Sequence, residues 1–261
     1  MLLRRPEGFP FGYTALTEIS GLHAEMGMDF GILRLRPGER RRSPAGLERA
    51  YLLLNGEAEL KWPGGRNAAA RRSLFDERPW CLHLNAGAEA EVGAGAGGAE
   101  LAFLAAVNPA SFEPRLHRPQ DCREEERGKG TMRETSTRLV RTIFDEANAP
   151  NSNLVLGEVI NFPGKWSSYP PHHHPQPEIY HYRFLPAGGF GLAVIGERAY
   201  VVRHGDTALI HEGEVHPQTA APGYAMYYLW AIRHLEGRRY TVPAFAAEHR
   251  WVAEPQAEIW P

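Results

Sequence analysis

Pro171-His172-His173-His174-Pro175-Gln176-Pro177-Glu178 is the stretch whose reading decides the fold. In an extended chain successive side chains point to opposite faces, so His172 and His174 share one face and His173 takes the other. Glu178 lies an even number of residues beyond His174. It joins the same face if the intervening prolines make a turn that keeps the register. Two imidazoles and a carboxylate converging on one point form a metal site in need of a third nitrogen. The chain offers one downstream, His216, within Gly205-Asp-Thr-Ala-Leu-Ile-His211-Glu-Gly213-Glu-Val-His216.

The surroundings read as strands. The chain of 261 residues carries 27 glycines and 21 prolines, which disfavour long helices and punctuate short extended segments. Asp29 to Arg36 alternates and meets a Pro37-Gly38-Glu39 turn. Arg49 to Leu54 is a buried strand, Asn55-Gly56 a predicted hairpin turn, and Glu57 to Trp62 its returning partner. Ser73–Asp76, Trp80–Leu84, Ala88–Val92 and Glu100–Val107 are predicted as further short strands. Gln120 to Arg127 is predicted to make one helical turn, followed by a basic, glycine-rich segment, Arg127 to Thr131, that reads as a linker or subunit contact. Thr137–Phe144 and Asn153–Ile160 are strands again. Two strands end in Pro-Gly, at Pro37-Gly38 and Pro163-Gly164. After the first comes Glu48 but no His-x-His; after the second comes the histidine cluster. The pattern reads as two copies of one β-module of which the second kept its ligands. Only His23, His83 and His117 precede residue 150, out of 12 histidines.

Composition excludes several classes. Hydrophobic content of 43% and charged content of 23% are those of an ordinary globular protein. A net charge of −2 supplies no field for nucleic acid or an anionic membrane. No apolar run reaches the roughly 20 residues of a membrane span. The N-terminus lacks the apolar core of a signal peptide. Cys81 and Cys122 form no CxxC pattern and suit a reducing cytoplasm, which is the expected location.

The spacings Gly164…His172-x-His174…Glu178 and Gly205…His211-Glu-Gly213…His216 resemble the paired motifs of the cupins, with His211 where the second motif usually has proline. The resemblance implies an all-β bicupin, two β-barrel (jelly-roll) modules in one chain, with a degenerate module over 1–126 and a metal-binding one over 127–261. More narrowly, Gly164-Lys165-Trp166-Ser-Ser-Tyr169-Pro-Pro-His172, Glu178-Ile-Tyr180-His-Tyr182-Arg183-Phe184, Gly223-Tyr224-Ala-Met-Tyr227-Tyr228-Leu229 and Arg127-Gly-Lys-Gly-Thr131 resemble the 5-deoxy-glucuronate isomerase family of inositol catabolism. The chain departs from that pattern in a short loop between His174 and Glu178, in His173, and in the order of Tyr180-His181-Tyr182. The likeness implies conversion of 5-deoxy-glucuronate to 5-dehydro-2-deoxy-gluconate on one divalent ion. That ion would be Zn or Mn first, with Fe, Ni or Co also compatible with the ligand types.

Candidate roles follow from position. His172, His174, Glu178 and His216 are the expected metal ligands. Glu178, Tyr180, Tyr182 and Tyr228 are catalytic candidates, Tyr180 and Tyr182 because steps of two from Glu178 keep its face, and Tyr228 because one of the adjacent pair Tyr227 and Tyr228 must face inward. Lys165, Tyr169 and Arg183 are substrate-binding candidates, although strand parity points Arg183 outward. The expected partners are a small sugar acid and a second copy of the chain, with no nucleic acid and no membrane. A 4-deoxy-uronate ketol-isomerase, a cupin dioxygenase and a non-enzymatic sugar-binding cupin remain as alternatives on the same ligands.

Overall fold

The computed structural model describes residues 1–260 and is built almost entirely of strands, with four short 3-10 turns among them. Two compact units divide the chain. One comprises Glu7–Arg123 with Ile143–Val155, the other Met1–Pro6 with Glu124–Thr142 and Leu156–Pro261.

The first of these is organised by two long strands, Glu48–Trp62 and Ala90–Ala106, paired antiparallel along most of their length. They lie within an eight-stranded sheet. The predicted hairpin at Asn55-Gly56 does not form. The chain runs straight through it, with register shifts between Leu53 and Asn55 and between Gly56 and Ala58. Gly56 is needed there for a different reason. It adopts φ 92°, and a Cβ on it would stand 2.3 Å from the Gly98 carbonyl oxygen. Asn-Gly is therefore spent on a bulge where two strands bend together. The turn is made instead by Pro63-Gly64, which closes Trp62 onto Gly65. For the same reason Ala88–Val92 and Glu100–Val107 are not separate strands: the glycine-rich run between them, which reads as a break, is the bend of one. Ser73–Asp76 is a turn, its Ser73 hydroxyl bonded to Asp76 Oδ2 at 2.6 Å. Leu33, Leu53, Leu60, Leu82, Leu84, Val92 and Leu101 form the core of this unit.

A buried carboxylate sits at the head of the first long strand. Glu48 is fully buried and accepts from Asn108 Nδ2 at 2.7 Å, Ser152 Oγ at 2.5 Å and the Asn153 amide at 2.7 Å. His83 Nε2 lies 2.7 Å from it. Burial raises its pKa, but these partners outweigh burial and hold it below the ordinary value.

The other unit carries a seven-stranded sheet in the order Leu2–Leu3, Thr207–Ile210, Glu178–Leu185, Ala225–Arg233, Leu154–Asn161, Arg138–Phe144, Arg123–Arg127. A four-stranded sheet runs Trp166–Ser167, Gln218–Ala220, Phe190–Ile195, Arg198–Arg203. Side chains of both sheets share one core, with Tyr182, Phe184, Ile210 and Met226 from the larger sheet and Ala193, Ile195, Val202 and Ala220 from the smaller. Residues 120–127 make one 3-10 turn, Pro119–Asp121, and then extend as Arg123–Arg127, so most of the predicted helical turn is strand. Among the described residues no helix is long and apolar enough to cross a membrane.

Candidate metal centre

The strand Glu178–Leu185 is buried on both faces. Its even positions Tyr180, Tyr182 and Phe184 enter the shared core. Its odd positions face away: His181 is bonded to Thr207 Oγ1 at 2.8 Å, and Arg183 Nη1 contacts His181 Nε2. Glu178 starts the strand opposite Ile210 on one side and Ile232 on the other. Before it, His172–His173 pairs with Ala244–Phe245, and the chain then turns through Pro175-Gln176-Pro177. That turn brings His174 back over Glu178.

His174, Glu178 and His216 present ligand atoms that all lie within 4.8 Å of one another, and all three are buried. Glu178 Oε2 is 3.1 Å from His174 Nε2 and 3.2 Å from His216 Nε2. His172 completes the group at its edge, its ring 4.7 Å from that of His216 and perpendicular to it. His173 pairs with Ala244 outside the cluster, and His211 is held by Glu214 Oε2 at 3.3 Å in the turn.

The backbone decides which nitrogen of each ring faces inward. His172 Nδ1 lies 3.2 Å from the Pro170 carbonyl, His174 Nδ1 3.0 Å from that of Gln176, and His216 Nδ1 2.8 Å from that of Glu214. A carbonyl only accepts, so an Nδ1 bonded to one carries the proton, and a ring that holds only that proton presents an Nε2 lone pair; His174 Nε2 also stands at hydrogen-bond distance from Glu178 Oε2. His216 Nε2 is buried and has no hydrogen-bond partner. Burial holds His172 and His216 down at about 4, which keeps them neutral and in ligand form. Two lone pairs and a carboxylate aimed at one point repel one another unless a positive species stands between them. A divalent ion with bonds of ~2.1 Å places neighbouring donors about 3.0–3.4 Å apart, the separation found here. The residues present therefore fit a metal ion, and the carbonyls behind the rings fix their orientation.

Three phenols stand beside this cluster. Tyr180 lies 5.7 Å from His216 and 4.6 Å from Tyr228, ring to ring. Its hydroxyl meets Ser168 Oγ at 3.0 Å, and that of Tyr228 meets Ser167 Oγ at 2.5 Å. Tyr182 OH is buried without a partner. Burial pushes all three phenols above their ordinary range, so they are protonated donors at neutral pH. Tyr227, on the opposite face, donates instead to Glu158 at 2.7 Å. Ser168 adopts φ 51°, a left-handed conformation at which strain marks sites where position matters more than stability.

The remaining candidates are not brought together with these. Tyr169 packs on Trp166 at 5.6 Å, and the Lys165 backbone carbonyl accepts from Asn161 Nδ2 at 2.7 Å and from Thr219. Arg183 lies on the far face of the strand, as described. Three residues on the inner side were not singled out by sequence: Arg138, Gln218 and Tyr240. The signal was present for Gln218, two residues beyond His216 and thus of equal parity. For Arg138 it was an arginine opening an apolar alternation. Tyr240, 5.0 Å from the His174 ring, arrives from a segment with no pattern of its own.

The chain is similar to known proteins along most of its length. A 5-deoxy-glucuronate isomerase of Geobacillus thermodenitrificans is 30% identical over 253 residues, covering 86% of either chain. The crystal structure of an IolB-like protein from Salmonella typhimurium superposes with a TM-score of 0.85 at 24% identity, over 97% of this chain and 99% of that one. A cupin 2 conserved barrel domain protein from Leptotrichia buccalis superposes at 0.53 with 13% identity, over 85% and 88%, which places the fold among the cupins. The model of the KduI/IolB family matches residues 2–252, and the chain belongs to the KduI/IolB family.

Proposed function

We propose that the protein is a metal-dependent aldose–ketose isomerase, a bicupin that converts 5-deoxy-glucuronate to 5-dehydro-2-deoxy-gluconate. The observation that carries this reading is the set of inward lone pairs of His174 and His216 facing Glu178, in a chain whose relatives are named for that isomerisation. His172, His174, Glu178 and His216 would hold a divalent ion, whose positive charge would acidify the C2 hydrogen of the sugar.

The rest is done by side chains. Glu178 Oε2 faces the imidazoles, and Oε1 makes no hydrogen bond to any described residue. Oε1 is the base that takes the C2 proton and returns it to C1. The phenols cannot serve as that base, because burial keeps them protonated. They act as donors: Tyr180 or Tyr182 gives its proton to O1, and the phenolate so formed takes the proton of the 2-hydroxyl, which restores the phenol. Tyr228, fixed by Ser167, holds the chain of the sugar in line. The buried walls around them exclude water, which strengthens each of these interactions.

Metal-loaded protein incubated with 5-deoxy-glucuronate should form the 2-ketose without consuming oxygen. Turnover of a 4-deoxy-uronate in its place would move the assignment to the ketol-isomerases of that sugar. Oxygen uptake would move it to the dioxygenases, and binding without turnover would sink the enzymatic reading.

A further inference from the structure

A sugar acid brings a carboxylate, and Arg183 cannot receive it from the far face of its strand. Inside the core one arginine can. The strand Arg138–Phe144 places Arg138 and Val140 on one face, and Val140 packs with Tyr180, Tyr182 and Tyr228. Arg141 takes the other face, its Nε 2.7 Å from Glu124. Arg138 is 5% exposed. Among the described residues its guanidinium makes one hydrogen bond, Nη1 to the Ser136 carbonyl at 2.7 Å, and no carboxylate pairs with it. A nearly buried guanidinium whose other donors meet no described residue is well placed to receive an anion. Its charge is felt at Tyr228, Tyr180 and His172, in keeping with its place on the same strand face as Val140.

A second observation points to the same place. Gln218 is fully buried, and neither its Oε1 nor its Nε2 has a partner. Its register partner is Ser167, whose hydroxyl holds Tyr228 at 2.5 Å. Across a strand pair such side chains stand about 5 Å apart. The Tyr182 hydroxyl, likewise buried and unpartnered, lies on the ring 6.0 Å from Tyr228. A fork of cationic donors, a carboxamide and a phenol left unmet in one lumen are the complement of a carboxylate with a hydroxyl beside it.

We propose that Arg138, with Gln218 beside Tyr228, forms the subsite that binds the carboxylate of a sugar acid whose carbonyl end lies at His174, Glu178 and His216. The proposal rests on the isomerase reading for the substrate's orientation, and it also assigns which end of the molecule the core arginine reads.

The test compares kcat/KM for 5-deoxy-glucuronate with that for 5-deoxy-glucose, which carries an alcohol in place of the acid. Arg138→Gln should lower the ratio of acid to alcohol about 100-fold, chiefly through KM, whereas Arg138→Lys keeps the charge, loses the fork and should lower it about 10-fold. Gln218→Met should raise KM for the acid about 10-fold. Melting temperature and bound-metal content, measured on each variant, separate this loss from misfolding. An unchanged ratio in Arg138→Gln overturns the subsite and leaves the isomerase reading intact. If Arg138→Gln does not fold, an unchanged ratio in Arg138→Lys together with an unchanged KM in Gln218→Met overturns it. If the unsubstituted protein turns over neither sugar, the isomerase reading falls. The subsite is then judged by calorimetric binding of gluconate against sorbitol: a preference for gluconate that Arg138→Lys weakens supports it, and equal binding overturns it.

Discussion

Replacing Glu178 by glutamine should make the metal-free protein more stable and the metal-loaded protein less so. In the metal-free state Oε2 stands 3.1 and 3.2 Å from two ring nitrogens whose protons are committed to backbone carbonyls. A carboxamide of the same shape removes the negative charge and can donate one N–H to either lone pair. Converting an unmet buried acceptor into a bonded one is worth about 1–2 kcal/mol, or roughly 2–8 °C in melting temperature for a chain of this size. The same substitution removes the one anionic ligand. At an ion concentration a hundred times the dissociation constant, binding stabilises by about 2.7 kcal/mol, and this increment should vanish. The assay is thermal or denaturant unfolding of chelator-treated Glu178→Gln and unsubstituted protein, each with and without added Zn or Mn. The reasoning fails if the chelated variant is the less stable of the two while divalent ions still stabilise both.

Other consequences are smaller to state. Glu48→Gln strands two of the donors that converge on the carboxylate and should cost about 3–5 kcal/mol of unfolding free energy at pH 7; a cost below about 1 kcal/mol by denaturant titration would show that the network is not what holds that unit. Because the folded pKa of Glu48 is depressed, its contribution is fully present above the ordinary value of 4.5 and is lost as pH falls through the lower folded value. The acid side of the stability profile should therefore flatten in Glu48→Gln. His174→Ala should lose both stoichiometric metal and isomerase activity, and retention of both would remove it from the site. Tyr228→Phe should lower kcat about 10–100-fold with metal content unchanged, whereas an unaltered kcat would reduce its hydroxyl to a packing role. Gly56→Val forces a side chain to 2.3 Å from the Gly98 oxygen at φ 92°, and soluble expression at normal yield would refute the close approach.

The cluster of His174, Glu178 and His216, with His172 at its edge, was legible because its signal is arithmetic. Even spacing along strands and the two glycine-framed motifs put His172, His174, Glu178 and His216 together without any need of tertiary detail. Tyr180 and Tyr182 followed from parity, whereas Tyr228 was a choice between it and Tyr227. Arg183 was harder, since parity correctly turned it away but could not say that the face it turned to is also buried. Arg138 and Gln218 escaped because an arginine or glutamine in a strand is ordinarily a solvent-facing residue. Burial distinguishes both, and for Gln218 the absence of any partner does so as well. The long strands were misread for a different reason. Asn55-Gly56 has the local chemistry of a hairpin, and a bulge uses the same left-handed backbone. What decides between them is a non-local contact with Gly98, which no window around residue 55 contains.

Each unit of the chain begins a core strand with a glutamate, Glu48 in one and Glu178 in the other. The first is surrounded by hydrogens: an amide, a carboxamide, a hydroxyl and an imidazole close on it. The second is met by bare nitrogens. One carboxylate is thus met by the polypeptide itself, while the other, on the proposed reading, awaits an ion from outside. Starved of divalent metal, the protein should keep the unit around Glu48 at full strength and loosen first around Glu178, so that metal supply governs the working half of the molecule and leaves the other as a standing scaffold.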